Sequence, residues 1–328
     1  MKNLKKIGLT ALAGSMVAIS AQAAEMTLSG SAVMTYVSKA GTVDSAVTGS
    51  GIGVDKGMTA SASGEMDNGI GVSLSHAVND GATANAQTTS ITLDLGDNGS
   101  LAYVQADLGG GVEALDDVMP TAHEEPSNGL GTTASPLSSA GSSVATGFVY
   151  SNSIGGASVS VNYAPTSQAS ANDQGSGTGA GAGTSSSSIG ITYPVADTGL
   201  TIYAGTGTDG STDGNDHSHD ALAVTYAFGP VTVGYQRNEM DDDDASGSDY
   251  SAEFFALSFA VNDDLSISYG DQTTELEGSE TDQEVTGMSI GYSMGGMTIS
   301  AHANEADNVG NTANATSEHT EVSITFAF

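Results

Sequence analysis

The side chains of this chain alternate in character with a period of two almost from end to end. Leu222, Val224, Tyr226 and Phe228 are separated by Ala223, Thr225 and Ala227, and Val322, Ile324, Phe326 and Phe328 by Ser323, Thr325 and Ala327. Successive side chains of a strand point to opposite faces, so each such run has one apolar face and one small or polar face. Sixteen segments read this way: 26–37, 51–66, 70–78, 87–95, 100–107, 143–151, 157–164, 185–193, 199–206, 220–228, 231–239, 250–261, 265–273, 283–293, 297–304 and 318–328. Their connections alternate as well. Short turns such as Asp67-Asn68-Gly69 and Gly229-Pro230 follow the even-numbered segments, with residue types suited to tight hairpins. Longer polar loops, 38–50, 79–86, 108–142, 165–184, 207–219, 240–249, 274–282 and 305–317, follow the odd-numbered ones. An up-and-down antiparallel meander is the consequence. An even strand count puts both chain ends on one side, so the first and last strands can pair and close a barrel.

Which face meets water follows from composition. Apolar residues are 38% of the chain, charged residues only 14%, and the mid-strand positions of the second face are Ser, Thr, Gly and Ala rather than charges. A soluble sandwich would pack its apolar faces inward and carry charge outside. A transmembrane barrel turns the apolar face to lipid and lines its interior with the polar one. The segments approach the roughly 9–11 residues a tilted membrane strand needs. Tyr36, Tyr150, Tyr163, Tyr193, Phe228, Tyr250, Tyr292 and Phe328 fall near strand ends, where an interfacial aromatic girdle belongs. The first 23 residues read as an export signal, with Lys2, Lys5 and Lys6 ahead of a short apolar run and Ala21-Gln22-Ala23 as the cleavage pattern. The barrel then spans 24–328.

Charge excludes several functions. Acids number 39 against 6 basic residues, a formal charge of −33, and loss of the leader leaves only Lys39, Lys56 and Arg237. Nucleic acid is therefore not a partner. With no cysteine there is no disulfide, thiolate metal site or thiol nucleophile. Gly287-Met288-Ser289-Ile290-Gly291 matches a nucleophile elbow in letters, but it lies inside a strand pattern with no helix after it.

The final strand Glu321-Val322-Ser323-Ile324-Thr325-Phe326-Ala327-Phe328, with its terminal Phe, resembles the assembly signal of bacterial outer-membrane barrels. Gly64-Glu65-Met66-Asp67-Asn68-Gly69-Ile70-Gly71-Val72 is similar to an early hairpin of general porins. In length and layout the chain resembles the sixteen-stranded trimeric porins of the alphaproteobacterial type. The resemblance implies short periplasmic turns, long extracellular loops, residence in the lipid bilayer of a Gram-negative outer membrane, a homotrimer, and an outer-membrane assembly machinery that engages the C-terminal Phe328. It further implies a water-filled channel for passive diffusion of small hydrophilic solutes, no required cofactor and no enzymatic activity. The third long loop, 108–142, would fold into the lumen with Glu113, Asp116, Asp117, Glu124 and Glu125, beside His123, at the constriction.

In that family a basic wall faces the loop acids, and here it is thin. Lys39 falls in or beside a loop, Lys56 shares the lipid-facing parity of Met58 unless Gly57 marks a bulge, and Arg237 shares the outward parity of Val231, Val233 and Tyr235. An acidic constriction without counter-charge favours cations. Asp241, Asp242, Asp243 and Asp244 are a candidate Ca²⁺ site in an outer loop, set against the plainer reading of a solvated acidic surface. His217 and His219 are a weaker candidate for a transition metal. The competing functions are an outer-membrane barrel enzyme of protease or lipase type, a substrate-specific channel, and a soluble acidic β protein.

Overall fold

The computed structural model describes residues 25–43, 48–79, 86–105, 108–132, 137, 146–165, 185–210, 216–242 and 249–328; the segment 1–23, expected to be an export signal, lies outside them. Sixteen strands form one closed antiparallel barrel. They are β1 (Glu25–Gly41), β2 (Gly49–Glu65), β3 (Gly71–Asn79), β4 (Ala86–Asp94), β5 (Ser100–Gln105), β6 (Gly147–Ile154), β7 (Ala157–Ala164) and β8 (Ser186–Val195). The second half comprises β9 (Leu200–Gly210), β10 (Asp216–Phe228), β11 (Val231–Asp242), β12 (Tyr250–Ala260), β13 (Leu265–Leu276), β14 (Gln283–Met294), β15 (Met297–Asp307) and β16 (Ser317–Ala327).

Each strand pairs with its sequence neighbours, and β1 closes on β16 from Ser31↔Ala327 to Gly41↔Ser317. The closing ladder runs on to the last residue. Gly30 N–H donates to the Phe328 carbonyl at 2.7 Å, and Phe328 N–H donates to the Gly30 carbonyl at 3.0 Å. Closure removes the open edge that a sheet in lipid could not satisfy.

The alternation predicts the faces correctly. On β14, Met288 is 64% exposed on the outside while its neighbour Ser289 is 7% exposed on the inside. Tyr250 is the exception in the aromatic set. It shares parity with the buried, inward Ala252 and Phe254, so it sits on the inner face at the loop end of β12 rather than in an outer girdle.

Strand ends differ from expectation in two ways. β9, β10, β11, β13 and β15 run three or four residues further into the loops, to or from Gly210, Asp216, Asp242, Leu276 and Asp307. Antiparallel ladders need only backbone groups, so pairing continues past the point where the apolar alternation stops. Conversely, β5 and β6 pair only over Ser100↔Ser151 to Val104↔Gly147. The chain leaves the wall early because Leu108 packs inside the barrel with Val104 and Ala164. Among the described residues β5 ends at Gln105 and β6 begins at Gly147, against strand segments expected to reach 107 and to start at 143.

Candidate functional site

The third loop runs along the inner wall, held by side chains that project from successive strands. The first tether is at β7 and β8. Asn162 Nδ2 donates to the Gly110 carbonyl at 2.8 Å, and the amides of Gly111 and Val112 donate to Ser160 Oγ and Ser188 Oγ, each at 3.0 Å. On β11, Gln236 Nε2 donates to the Leu115 carbonyl at 2.7 Å. On β13, Ser268 Oγ accepts from Ala122 N–H at 3.0 Å. On β15, Asn304 Nδ2 donates to the carbonyls of Glu125 and Asn128, each at 3.1 Å. A loop buried against a wall must have its backbone groups satisfied in this way.

Apolar contacts and missing side chains complete the seat. Val112, Leu115 and Leu137 pack on Ala221, and Met119 packs among Ala223, Ala252, Phe254 and Ala256. Inner-face glycines let the loop approach the wall closely. A Cβ at Gly234 would lie 2.6 Å from Pro120 Cδ, one at Gly270 would lie 2.7 Å from Pro126 Cγ, and one at Gly190 would strike the Gly111 carbonyl. Phe254, Tyr203 and the glycine track were not expected at the site. The signal was their inner-face parity, which composition alone does not weigh.

The loop brings its acids into the lumen. Asp117 and Glu124 are exposed there, while Glu113, Asp116 and Glu125 are half-buried. Glu124 Oε2 accepts from Asn128 Nδ2 at 3.1 Å. The Glu125 carboxyl is pushed up to about 8, first by burial and then by repulsion from Asp117, Asp116 and Glu124. Those four acids therefore share one region. Glu113, on the 3₁₀ turn Gly111–Leu115, stands nearer the start of the loop. Toward the short turns the lumen opens into a chamber of about 790 Å³ lined by residues such as Ser73, Thr92, Ser100, Ser153 and Ser158.

The three basic residues of 24–328 divide between the faces. Lys39 lies within β1 on its inner face, directly opposite His319 of β16, and not in a loop. Lys56 pairs in unbroken register with Ala32, so Gly57 makes no bulge and Lys56 keeps the outward parity of Met58. Arg237 is outward, with Nε 2.7 Å from Glu239 Oε1 and Nη1 2.7 Å from Glu253 Oε1. These two glutamates belong to a wider set. Asp220, Glu239, Glu253, Asp271, Glu284, Glu305, Asp307 and Glu318 all take outward parity near the loop ends of β10–β16. Part of the acidity is thus an external collar.

The remaining candidates are dispersed. Asp241 and Asp242 are consecutive residues of β11 and take opposite faces; Asp243 and Asp244 lie outside the described residues. His217 and His219 meet a carboxylate between them: His217 Nδ1 is 3.1 Å from Asp209 Oδ1, and His219 Nε2 is 3.2 Å from Asp209 Oδ2. Ser289 sits in mid-β14, its Oγ 2.6 Å from Ser268 Oγ, with no helix to make an elbow.

A family model described as Gram-negative porin matches residues 8–271. Solved structures share the architecture at low identity. A refined porin structure superposes with a TM-score of 0.63 at 15% identity, covering 93% of this chain and all of its own. An anion-selective porin from Comamonas acidovorans gives 0.68 at 13% identity, and a multiply substituted porin of Rh. blastica gives 0.65 at 14%; each is covered in full against 93% of this chain. No curated protein matches the sequence.

Proposed function

The chain belongs to the Gram-negative porin family, and on that premise we propose that its outer-membrane diffusion channel prefers cations and works as a homotrimer. The family and the barrel support a channel for passive diffusion. The observation that carries the cation preference is the charge balance inside the lumen. The infolded loop places Glu113, Asp116, Asp117, Glu124 and Glu125 there, while only Lys39 among the three basic residues takes an inner-face position. Carboxylates concentrated at a narrow place raise the local cation concentration and repel anions. The related Comamonas porin is described as anion-selective, so the fold itself does not set the sign of selectivity. Support for the trimer comes from the outer face of β1 and β2. Met26, Leu28, Ile52 and Val54 are 63–80% exposed there, an apolar surface with few aromatic residues and suited to burial against other copies.

One planar-bilayer recording tests both parts. The reversal potential in a KCl gradient is expected to show cation preference that weakens toward 1 M salt, where the screening length falls to about 3 Å. Channel closures are expected in three equal steps. Anion preference would overturn the first part, and single-step closure the second.

A further inference from the structure

Where the tip of the infolded loop meets the barrel seam, three histidines gather on the lumenal side. His302 of β15 and His319 of β16 face each other, Nε2 to Nδ1, at 2.8 Å, with their rings stacked at 5.0 Å between centroids. His123 of the loop lies against them, its ring centroid 5.6 Å from that of His302 and its Nε2 3.5 Å from Ser323 Oγ. Glu321 is directly opposite His302 across the β15–β16 ladder. His302, His319 and Glu321 each offer one ligand atom, and all three atoms lie within 4.8 Å of one another.

We propose that His302, His319 and Glu321 form a binding site for a borderline divalent transition metal of the Zn²⁺ type, at the junction of constriction loop and wall. The donor set is chemically suited to it: two imidazoles and a carboxylate, with the fourth position left to water, is a familiar open zinc arrangement. Zn–N bonds of about 2.0–2.1 Å place two tetrahedral nitrogens roughly 3.3 Å apart, so the facing nitrogens part by about 0.5 Å and the two rings turn until both lone pairs converge on the metal. The site is also largely dry. His302 and His319 are 2% and 3% exposed, and the Gly129 backbone of the loop packs against the His319 ring so closely that a Cβ there would overlap it. Of the neighbouring charges, Lys39 of β1 opposes a cation and Glu124 of the loop favours one. Imidazole donors distinguish this site from the acidic outer loops, whose oxygens suit Ca²⁺.

The detergent-solubilised full barrel is titrated calorimetrically with ZnCl₂ in excess Ca²⁺, which occupies the acidic loops. One Zn²⁺ per chain is expected to bind in the wild type. Affinity should fall at least ~10-fold in His302→Ala and in Glu321→Gln, since even outer-shell partners act on that scale. A His217→Ala/His219→Ala variant, changed only at the mouth cluster, should keep the site. Retention of binding in the first two variants, or its loss in the mouth variant, overturns the proposal. Glu321→Gln keeps the packing and covers the case in which His302→Ala does not fold. On the unaltered protein, Co²⁺ should give the visible spectrum of a four-coordinate site, and a six-coordinate spectrum would count against it. Bound Zn²⁺ should also lower the cation current. That last readout rests on the pore reading: binding without an effect on current would fault the pore reading and leave the site standing.

Discussion

The inner faces of β1–β3 and of β7–β16 follow the same rule of small and polar residues, yet one is wet and the other is covered. On β2 and β3 the inner residues are short, Thr59, Ser61, Ser73 and Ser75, and all keep some exposure. On β11–β15 they include Gln236, Asn238, Gln272, Gln283 and Asn304, each no more than 5% exposed. The difference is the loop that lies on one of them: on the covered side the amides of Gln236 and Asn304 and the hydroxyls of Ser188 and Ser268 all bond its backbone, whereas the hydroxyls of the open side meet water. A polar lumen is thus two surfaces, a seat for the constriction loop and a lining for solute.

The strongest way to break this comparison is to fill a seat. Gly190 of β8 lies under the Gly111 carbonyl, whereas Gly51, at an inner-face position on β2, has nothing within 4 Å. Gly190→Val should unseat the loop at a cost of about 1–3 kcal/mol, the usual range for overpacking. Unfolding temperature should drop and single-channel conductance should become unsteady. Gly51→Val should stay within about 0.5 kcal/mol of the wild type. Equal effects from the two would mean that the covered half is not a seat at all.

A second measurement sharpens the same contrast through pH. Glu125, half-buried under the loop, has its carboxyl raised to about 8 by burial first and by Asp117, Asp116 and Glu124 next. A carboxyl raised in the folded state binds its proton more tightly than in the unfolded chain. The associated stability is complete below about 4.5 and is lost as pH climbs through about 8. Raising pH from 6 to 9 should therefore lower the unfolding temperature and increase cation preference together, as one more negative charge appears at the constriction. Glu125→Gln should flatten both dependences. If it flattens neither, the titrating group lies elsewhere.

Much of this architecture is legible in the residues. Alternation fixes sixteen strands and their faces, because in lipid one face must be apolar and the backbone must pair completely. The parities of Lys56 and Arg237 hold in the barrel. Other features depend on long-range closure. His302 and His123 are far apart in sequence, and only the path of the loop around the wall brings them together. The apolar alternation of β1 stops at Val37, which puts Lys39 in or beside a loop, while the ladder with β16 continues to Gly41. Tyr250 shows the opposite limit, since nearness to a strand end suggests a girdle residue and only its parity reveals the inner face.

The finest separation is between two basic residues on opposite faces. Arg237 is bound outside to Glu239 and Glu253, all with side chains about half exposed. Exposed pairs of this kind contribute about 0–1 kcal/mol, and the barrel wall stands between them and the permeating ion. Arg237→Ala should therefore leave the reversal potential unchanged and shift stability by less than about 1 kcal/mol. Lys39, opposite His319, is the one inner-face basic residue among the described residues. Lys39→Ala should move the reversal potential further toward cations, by a modest amount because a single charge is screened within about 10 Å at 0.1 M salt. If both substitutions shift selectivity equally, the face a charge occupies is not what decides its effect. If only Lys39→Ala does, the split between lumen and collar is the division that governs how this acidic chain handles ions.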